Sequence, residues 1–198
     1  MRSIIDSITS RYFFLLSAIR RLSFLAQVFL WQGKAILESE VHFAHPVSFQ
    51  GRGLVYLQQN VKLGYKLAGA SKLPILLQPR TSDAIIRIGS GSIVVNGTEI
   101  IALSSVTIGE NCRIGARTIV LDSDFHGIRP DARDTPGIIG SVVIKDNVWV
   151  GADAMILKNV TIGQDAVVAA RCVVTKNVPA GAIVAGNPMK VVGSVYDR

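Results

Sequence analysis

Residues 144–178 read IKDNVWVGADAMILKNVTIGQDAVVAARCVVTKNV, and an aliphatic side chain returns at every sixth position: Ile144, Val150, Ile156, Ile162, Val168 and Val174. A smaller residue stands four places after each, as Val148, Ala154, Val160, Ala166, Cys172 and Val178. Neither the helical period of about 3.6 nor simple strand alternation generates two interlocked series at six, so the hexad is itself the structural unit. Each hexad supplies one short strand and one corner, and three hexads make one triangular coil of a parallel β-helix. Both series point inward, and stacked coils bury a column that no single coil buries alone.

Corners need residues that tolerate tight turns, which is what Gly151, Gly163 and Ala169 supply after the aliphatic position. Asp146, Asn147, Asp153, Asn159 and Asp165 fill the exposed sites. The same period runs upstream through Ile108, Ile114 and Val120, with Cys112 and Thr118 as the small partners. At Asp124 it stops: a carboxylate falls on an inward small position, and His126 stands where the next aliphatic residue belongs. Gly127 to Gly137, GIRPDARDTPG, has the Gly, Pro and charge content of an extruded loop, expected over 125–138. A loop of this length in a repetitive scaffold is usually functional.

With 49% hydrophobic and 18% charged residues, the 198-residue chain has the composition of a folded domain rather than of a disordered segment. A net charge of +7 favours anionic partners. No zinc-finger, helix-turn-helix or aromatic stacking motif is present, which argues against nucleic acid. Cys112 and Cys172 both take inward hexad positions and read as buried reduced thiols, consistent with a cytoplasmic protein. His42 and His45 in VHFAHP have no third ligand nearby and read as turn or edge histidines, so no metal is expected.

The sequence divides into a basic apolar helical segment (1–35), irregular early coils (36–85), a regular hexapeptide-repeat domain (86–192) and a short tail (193–198). In the first segment Ile5, Ile8, Tyr12, Leu15, Ile19 and Leu22 recur at helical spacing, while Asp6, Ser10, Ser17, Arg20 and Arg21 gather on other faces. Arg11, Arg20 and Arg21 interrupt the apolar run, so a surface-lying rather than a crossing helix is expected. Two readings of it stand side by side: a peripheral contact with the inner face of a membrane, or packing against the protein itself or a sister subunit.

The string DNVWVGADAMILKNVTIGQDAVVAARCVVTKNVPAGAIVAGNPMKVV, Asp146 to Val192, resembles the C-terminal half of the hexapeptide-repeat O-acetyltransferases. Within them it is most similar to the maltose and galactoside branch and to enzymes that modify capsular or lipopolysaccharide sugars. The resemblance implies an all-β fold, a left-handed parallel β-helix, a homotrimer with sites between neighbouring subunits, acetyl-CoA as donor and a carbohydrate acceptor. It puts the catalytic histidine on His126 and an aromatic residue of the pantetheine channel on Trp149. Ala152, Ala170, Thr175 and Lys176 fall on coenzyme A contacts, Lys190 on a basic position near its phosphates, and Asn96 on an acceptor-binding asparagine. The chain departs from the branch at Gly127, where Pro commonly follows the histidine, and in its N-terminal segment.

The implied reaction needs a base for a weakly acidic hydroxyl, a task matched to neutral imidazole. Asp122 and Asp124 are read either as orienting that imidazole or as capping the turn. The oxyanion donor is expected at the backbone N–H of Gly151 or Ala152. Transfer to a sugar amine or a hydroxylated antibiotic is the alternative chemistry, and a structural β-helix without activity is the non-enzymatic one.

Overall fold

The computed structural model describes residues 2–65 and 72–197, with side chains from Tyr12 onward. Ile5, Asp6, Ile8, Ser10 and Arg11 of the helical pattern lie outside the described side chains. After the helix Arg2–Leu30, the chain visits three sheets in rotation as far as Val173–Val174. The first face stacks Lys34–Leu37, Leu54–Leu57, Ile85–Ile88, Ser105–Ile108, Ser141–Ile144 and Val160–Ile162. The second begins with His42–Phe43, Lys62–Leu63, Ile93–Val94 and Arg113–Ile114, and continues with Trp149–Val150, Val167–Val168 and Ala182–Ala185. The third holds Val47–Phe49, Ile75–Pro79, Glu99–Ala102, Ile119–Leu121, Met155–Ile156 and Val173–Val174. These strands all pair in parallel, each with its counterpart in the next coil.

Every member of both hexad series between Ile144 and Val178 is buried. The corners are set by backbone chirality. Asn147, Asp153, Asn159, Asp165 and Arg171, six residues apart, all take left-handed φ near 60°, a region that Asn and Asp enter more readily than other non-glycine residues. Burial pushes the Cys112 and Cys172 thiols up, so neither is a ready nucleophile.

The period also holds in the early coils, where the sequence reads as irregular. Leu37 and Phe43, Leu57 and Leu63, and Ile88, Val94 and Ile100 are all inward, six apart. The phase is lost where one coil joins the next, at the corner from the third face to the first. Phe49 to Leu57 and Ile100 to Ile108 each span eight residues there, and Val120 to Ile144 carries the long loop. It is lost once within a coil as well, where Leu63 to Leu77 spans fourteen residues at the second-to-third corner. A second difference lies at the end of the chain. Lys190–Ser194, which runs from the end of the expected repeat domain into the tail, pairs antiparallel with Ala182–Ala185. The chain reverses through Gly186, whose φ of 89° suits glycine.

The helix closes the open bottom of the first coil. Phe24 packs between Phe43 and Phe49, with ring centroids 5.4 and 5.8 Å away. Ser17 Oγ accepts from the Phe43 N–H, Arg20 donates to the Ala44 and Phe43 carbonyls, and Gln27 Oε1 accepts from the Phe49 N–H. These bonds satisfy strand-edge groups with no coil beneath them, as a terminal cap must. By length and composition alone, Tyr12–Leu30 is long and apolar enough to cross a membrane.

At the corner between the second and third faces, Arg117 donates two hydrogen bonds of 2.7 Å to Asp153. That fork holds the Asp153 carboxyl below its ordinary range, and the Asn147 amide and then the Tyr196 hydroxyl do the same for Asp165. A carboxyl whose folded pKa lies below its unfolded value of about 3.9 contributes fully above that value, and the contribution is lost as pH falls through the folded pKa. Thermal unfolding is therefore expected to be flat above roughly pH 5 and to drop below about pH 4. Arg117→Met should soften that acid limb modestly, since the pair is solvent-facing; an unchanged limb would remove the fork from the account.

Candidate functional site

The break in the hexad becomes an excursion from the coil-joining corner. Its neck is an antiparallel bridge between Ser123 and Ile139, flanked by Gly140 N–H to Asp122 O and Asp124 N–H to Ile138 O. Such a neck lets the chain leave and re-enter the stack without losing register. At its tip Pro130–Ala132 forms one turn of 3-10 helix.

His126 stands exposed in this loop. Its Nδ1 lies 2.9 Å from the Arg133 carbonyl. A carbonyl only accepts, so Nδ1 carries the proton and Nε2 presents a lone pair. The loop is packed around this ring without spare room. A Cβ on Gly127 would stand 2.1 Å from the Ala132 carbonyl oxygen, so neither proline nor any other side chain fits after the histidine. Gly137, at φ 69°, would bring a Cβ to 2.4 Å from the His126 carbonyl oxygen.

Neither candidate carboxylate orients the imidazole. Asp122, not Asp124, is the inward carboxylate, because the chain leaves the hexad at the neck two residues before the period would place it. Asp122 is buried and accepts from the Leu103 N–H at 2.8 Å and the Ser104 N–H at 2.7 Å, so it caps the corner of the preceding coil. Asp124 is ion-paired with Lys158 of the following coil, which staples the neck.

Three residues of this surroundings were not legible in the sequence: Lys158, Phe125 and Arg80. Phe125 takes a left-handed φ of 61°, strain that is uncommon for an aromatic residue and tends to occur at functional sites. The Arg80 guanidinium sits 5.2 Å from the centroid of its ring. Arg80, Phe125 and His126 share a cleft of about 340 Å³ with Asp134 and Thr135. Phe125 stands beside the broken hexad, but Lys158 lies one coil on and Arg80 two coils back, and only the stacking brings them in.

The expected coenzyme contacts divide between two corners. Trp149 is exposed on the second face beside Arg113 and lines a groove of about 240 Å³ with Ala152 and Gly115. Ala170 occupies the same corner one coil on, beside Gly151. Thr175 and Lys176 instead follow the third face, at the coil-joining corner that also bears His126, and both are exposed. Lys190 is exposed on the antiparallel strand. Within one chain, the imidazole and the Trp149 groove therefore sit at opposite edges of the third face.

Hydrogen bonding narrows two of the expectations. The Gly151 N–H donates to the Val168 carbonyl at 2.7 Å in the coil ladder, so it is not free to meet an oxyanion, whereas the Ala152 N–H has no acceptor among the described residues. Asn96 is buried at the second-to-third corner, where its Oδ1 accepts from the Tyr65 N–H at 2.9 Å. It fixes a neighbouring coil at the same corner as the Trp149 groove, away from His126 of its own chain. His45 Nε2 is bonded to the Leu73 carbonyl, and among the described residues no group of three or more His, Cys, Asp or Glu side chains is placed to hold a metal ion.

Residues 141–176 match the bacterial transferase hexapeptide family and residues 105–129 the hexapeptide repeat of succinyl-transferase. The chain is 37% identical over 86 residues to a 2,3,4,5-tetrahydropyridine-2,6-dicarboxylate N-acetyltransferase of Staphylococcus aureus, covering 43% of this chain and 32% of that protein. It thus spans about a third of the length of the curated relatives it matches. Among solved structures it is similar to a hexapeptide-repeat acetyltransferase of Vibrio cholerae complexed with acetyl-coenzyme A, at 32% identity and a TM-score of 0.53 over 56% of this chain and 60% of that one. It is also similar to a galactoside acetyltransferase in complex with coenzyme A, at 26% identity and a TM-score of 0.56 over 70% and 66% of the two chains. The chain thus carries transferase hexapeptide repeats, of the succinyl-transferase kind through 105–129 and of the bacterial transferase kind through 141–176, on a stack of coils shared with solved acetyltransferases.

Proposed function

We propose that this protein is an acetyl-CoA-dependent O-acetyltransferase that acetylates a sugar hydroxyl of a surface polysaccharide or its precursor. The observation that carries the reading is His126, whose Nδ1 is tied to a carbonyl and whose Nε2 is left as an acceptor in an exposed cleft. Complexes of similar proteins with acetyl-CoA and CoA support the donor, and the galactoside enzyme supports a carbohydrate acceptor.

In this reading Nε2 takes the hydroxyl proton as the oxygen attacks the thioester carbonyl. The tetrahedral intermediate collapses to the acetyl ester, and the departing thiolate receives the proton from the imidazolium. The Ala152 N–H is the remaining candidate for holding the oxyanion. Because His126 and the Trp149 groove occupy opposite edges of the third face in one chain, a complete site requires the loop corner of one copy against the groove of the next. That requirement supports a head-to-tail assembly of copies such as a homotrimer, with Lys176 and Lys190 near the coenzyme phosphates.

Lys176→Ala and Lys190→Ala should each weaken acetyl-CoA binding by roughly three- to tenfold, with less effect on turnover at saturation. Titration calorimetry at two salt concentrations checks this; unchanged affinity would make them ordinary surface charges. The curated N-acetyltransferase relatives favour a second reading in which the acceptor is an amine. Acetyl transfer to monosaccharides, nucleotide sugars, isolated capsule and amino sugars separates the two, because hydroxylamine cleaves an acetyl ester and spares an amide. A product that survives hydroxylamine would overturn the O-acetyl assignment.

A further inference from the structure

The N-terminal helix turns its amphipathic pattern inside out. Its polar residues Ser17, Arg20 and Gln27 face the protein, where they are bound to the edges of the first coil, and Phe24 and Val28 fill the core beside them. At about 100° per residue, the opposite side is formed by Tyr12, Leu15, Ile19, Leu22, Phe29 and Leu30, and all six are exposed. Leu22, Leu30 and Phe29 are 67%, 76% and 82% accessible, values usual for surface lysines rather than for leucine and phenylalanine. The helix cannot roll to bury them without breaking the strand-edge bonds. An uncharged stripe about 28 Å long therefore faces outward.

We infer that this stripe lies flat on an anionic lipid bilayer, with the coil stack standing on the surface. The rim of the stripe decides for lipid over a second copy of the chain. Arg21 is exposed on the helix, and Trp31, at its end, lines a cleft of about 590 Å³ with the exposed Arg52. Cations bordering an apolar stripe complement lipid phosphates, and tryptophan and tyrosine at its ends suit the headgroup boundary. Two copies meeting through the same face would set these arginines near one another. The net charge of +7 acts in the same direction. Although Tyr12–Leu30 has the length and composition to cross, Phe24, Val28 and the Arg20 bonds pin it along the coil, so it lies in the interface.

The inference stands apart from the proposed reaction and is tested without it. The full-length protein is floated with vesicles of phosphatidylcholine, with and without phosphatidylglycerol, beside a variant carrying Leu15→Ser, Leu22→Ser and Phe29→Ser. Because these side chains are exposed, the variant should fold normally by circular dichroism. It should bind the anionic vesicles at least tenfold more weakly than the wild type, and the wild type should bind neutral vesicles several-fold more weakly than anionic ones. Equal flotation of wild type and variant, or no flotation of the wild type, overturns the inference. So does a variant whose only change is a lower mass in sedimentation, which would make the stripe a contact between copies.

Discussion

His126→Ala lowers acetyl transfer by roughly 10²- to 10⁴-fold, the usual worth of a positioned general base, while coenzyme binding and the fold persist. The fold persists because the ring is exposed and its hydrogen bond goes to the Arg133 carbonyl of its own loop, so no inward column loses a member. Coenzyme affinity persists because the groove is lined by Trp149, Ala152 and Gly115 and the phosphates are assigned to Lys176 and Lys190, so no coenzyme contact is lost with the imidazole. The comparison that isolates the base is between His126→Ala and Arg133→Ala. The second removes a side chain whose carbonyl, the group that fixes the tautomer, remains. It should leave turnover within a few-fold of the wild type. Near-normal turnover of His126→Ala with a confirmed acceptor would refute the base assignment.

Asp122→Ala is the substitution expected to damage the fold most. The buried carboxylate accepts three short contacts from two backbone N–H groups of the preceding coil, at 2.7, 2.8 and 3.1 Å. Alanine removes the acceptor and leaves both donors unpaired beside a cavity, which costs about 2 to 5 kcal/mol. Asp122→Asn keeps one carbonyl oxygen for those donors and should cost clearly less. Urea unfolding of the three proteins orders them, and a loss below about 1 kcal/mol for Asp122→Ala would show that the cap is dispensable. Turnover of the folded Asp122→Asn protein should stay near normal. A drop comparable to that of His126→Ala would return Asp122 to the role of imidazole partner.

The early coils show why part of the fold was hidden. Hexads persist from Leu37 to Val174, but extra residues at the coil-joining corner reset the phase between Phe49 and Leu57 and between Ile100 and Ile108. A corner faces solvent and tolerates added residues without disturbing the packed column, so the period survives along the faces and is lost at the corners that carry insertions, between coils and once within a coil, from Leu63 to Leu77. The same tolerance explains why the long loop sits at a corner and nowhere along a face.

The sequence by itself determined the inward column, the corners and the position of the loop, because those follow from a local period that every coil must obey. It also singled out His126 as the residue that breaks the period. Tertiary structure alone decided the tautomer of that ring, the assignment of Asp122 to a distant backbone corner, the Asp124 to Lys158 staple and the Arg80 cation over Phe125, since each joins residues of different coils or of opposite sides of the loop. It likewise decided which side of the N-terminal helix is buried. Helical spacing marks two faces, but only the unpaired strand edges of the first coil determine that the polar face turns inward, and the apolar face is left outside.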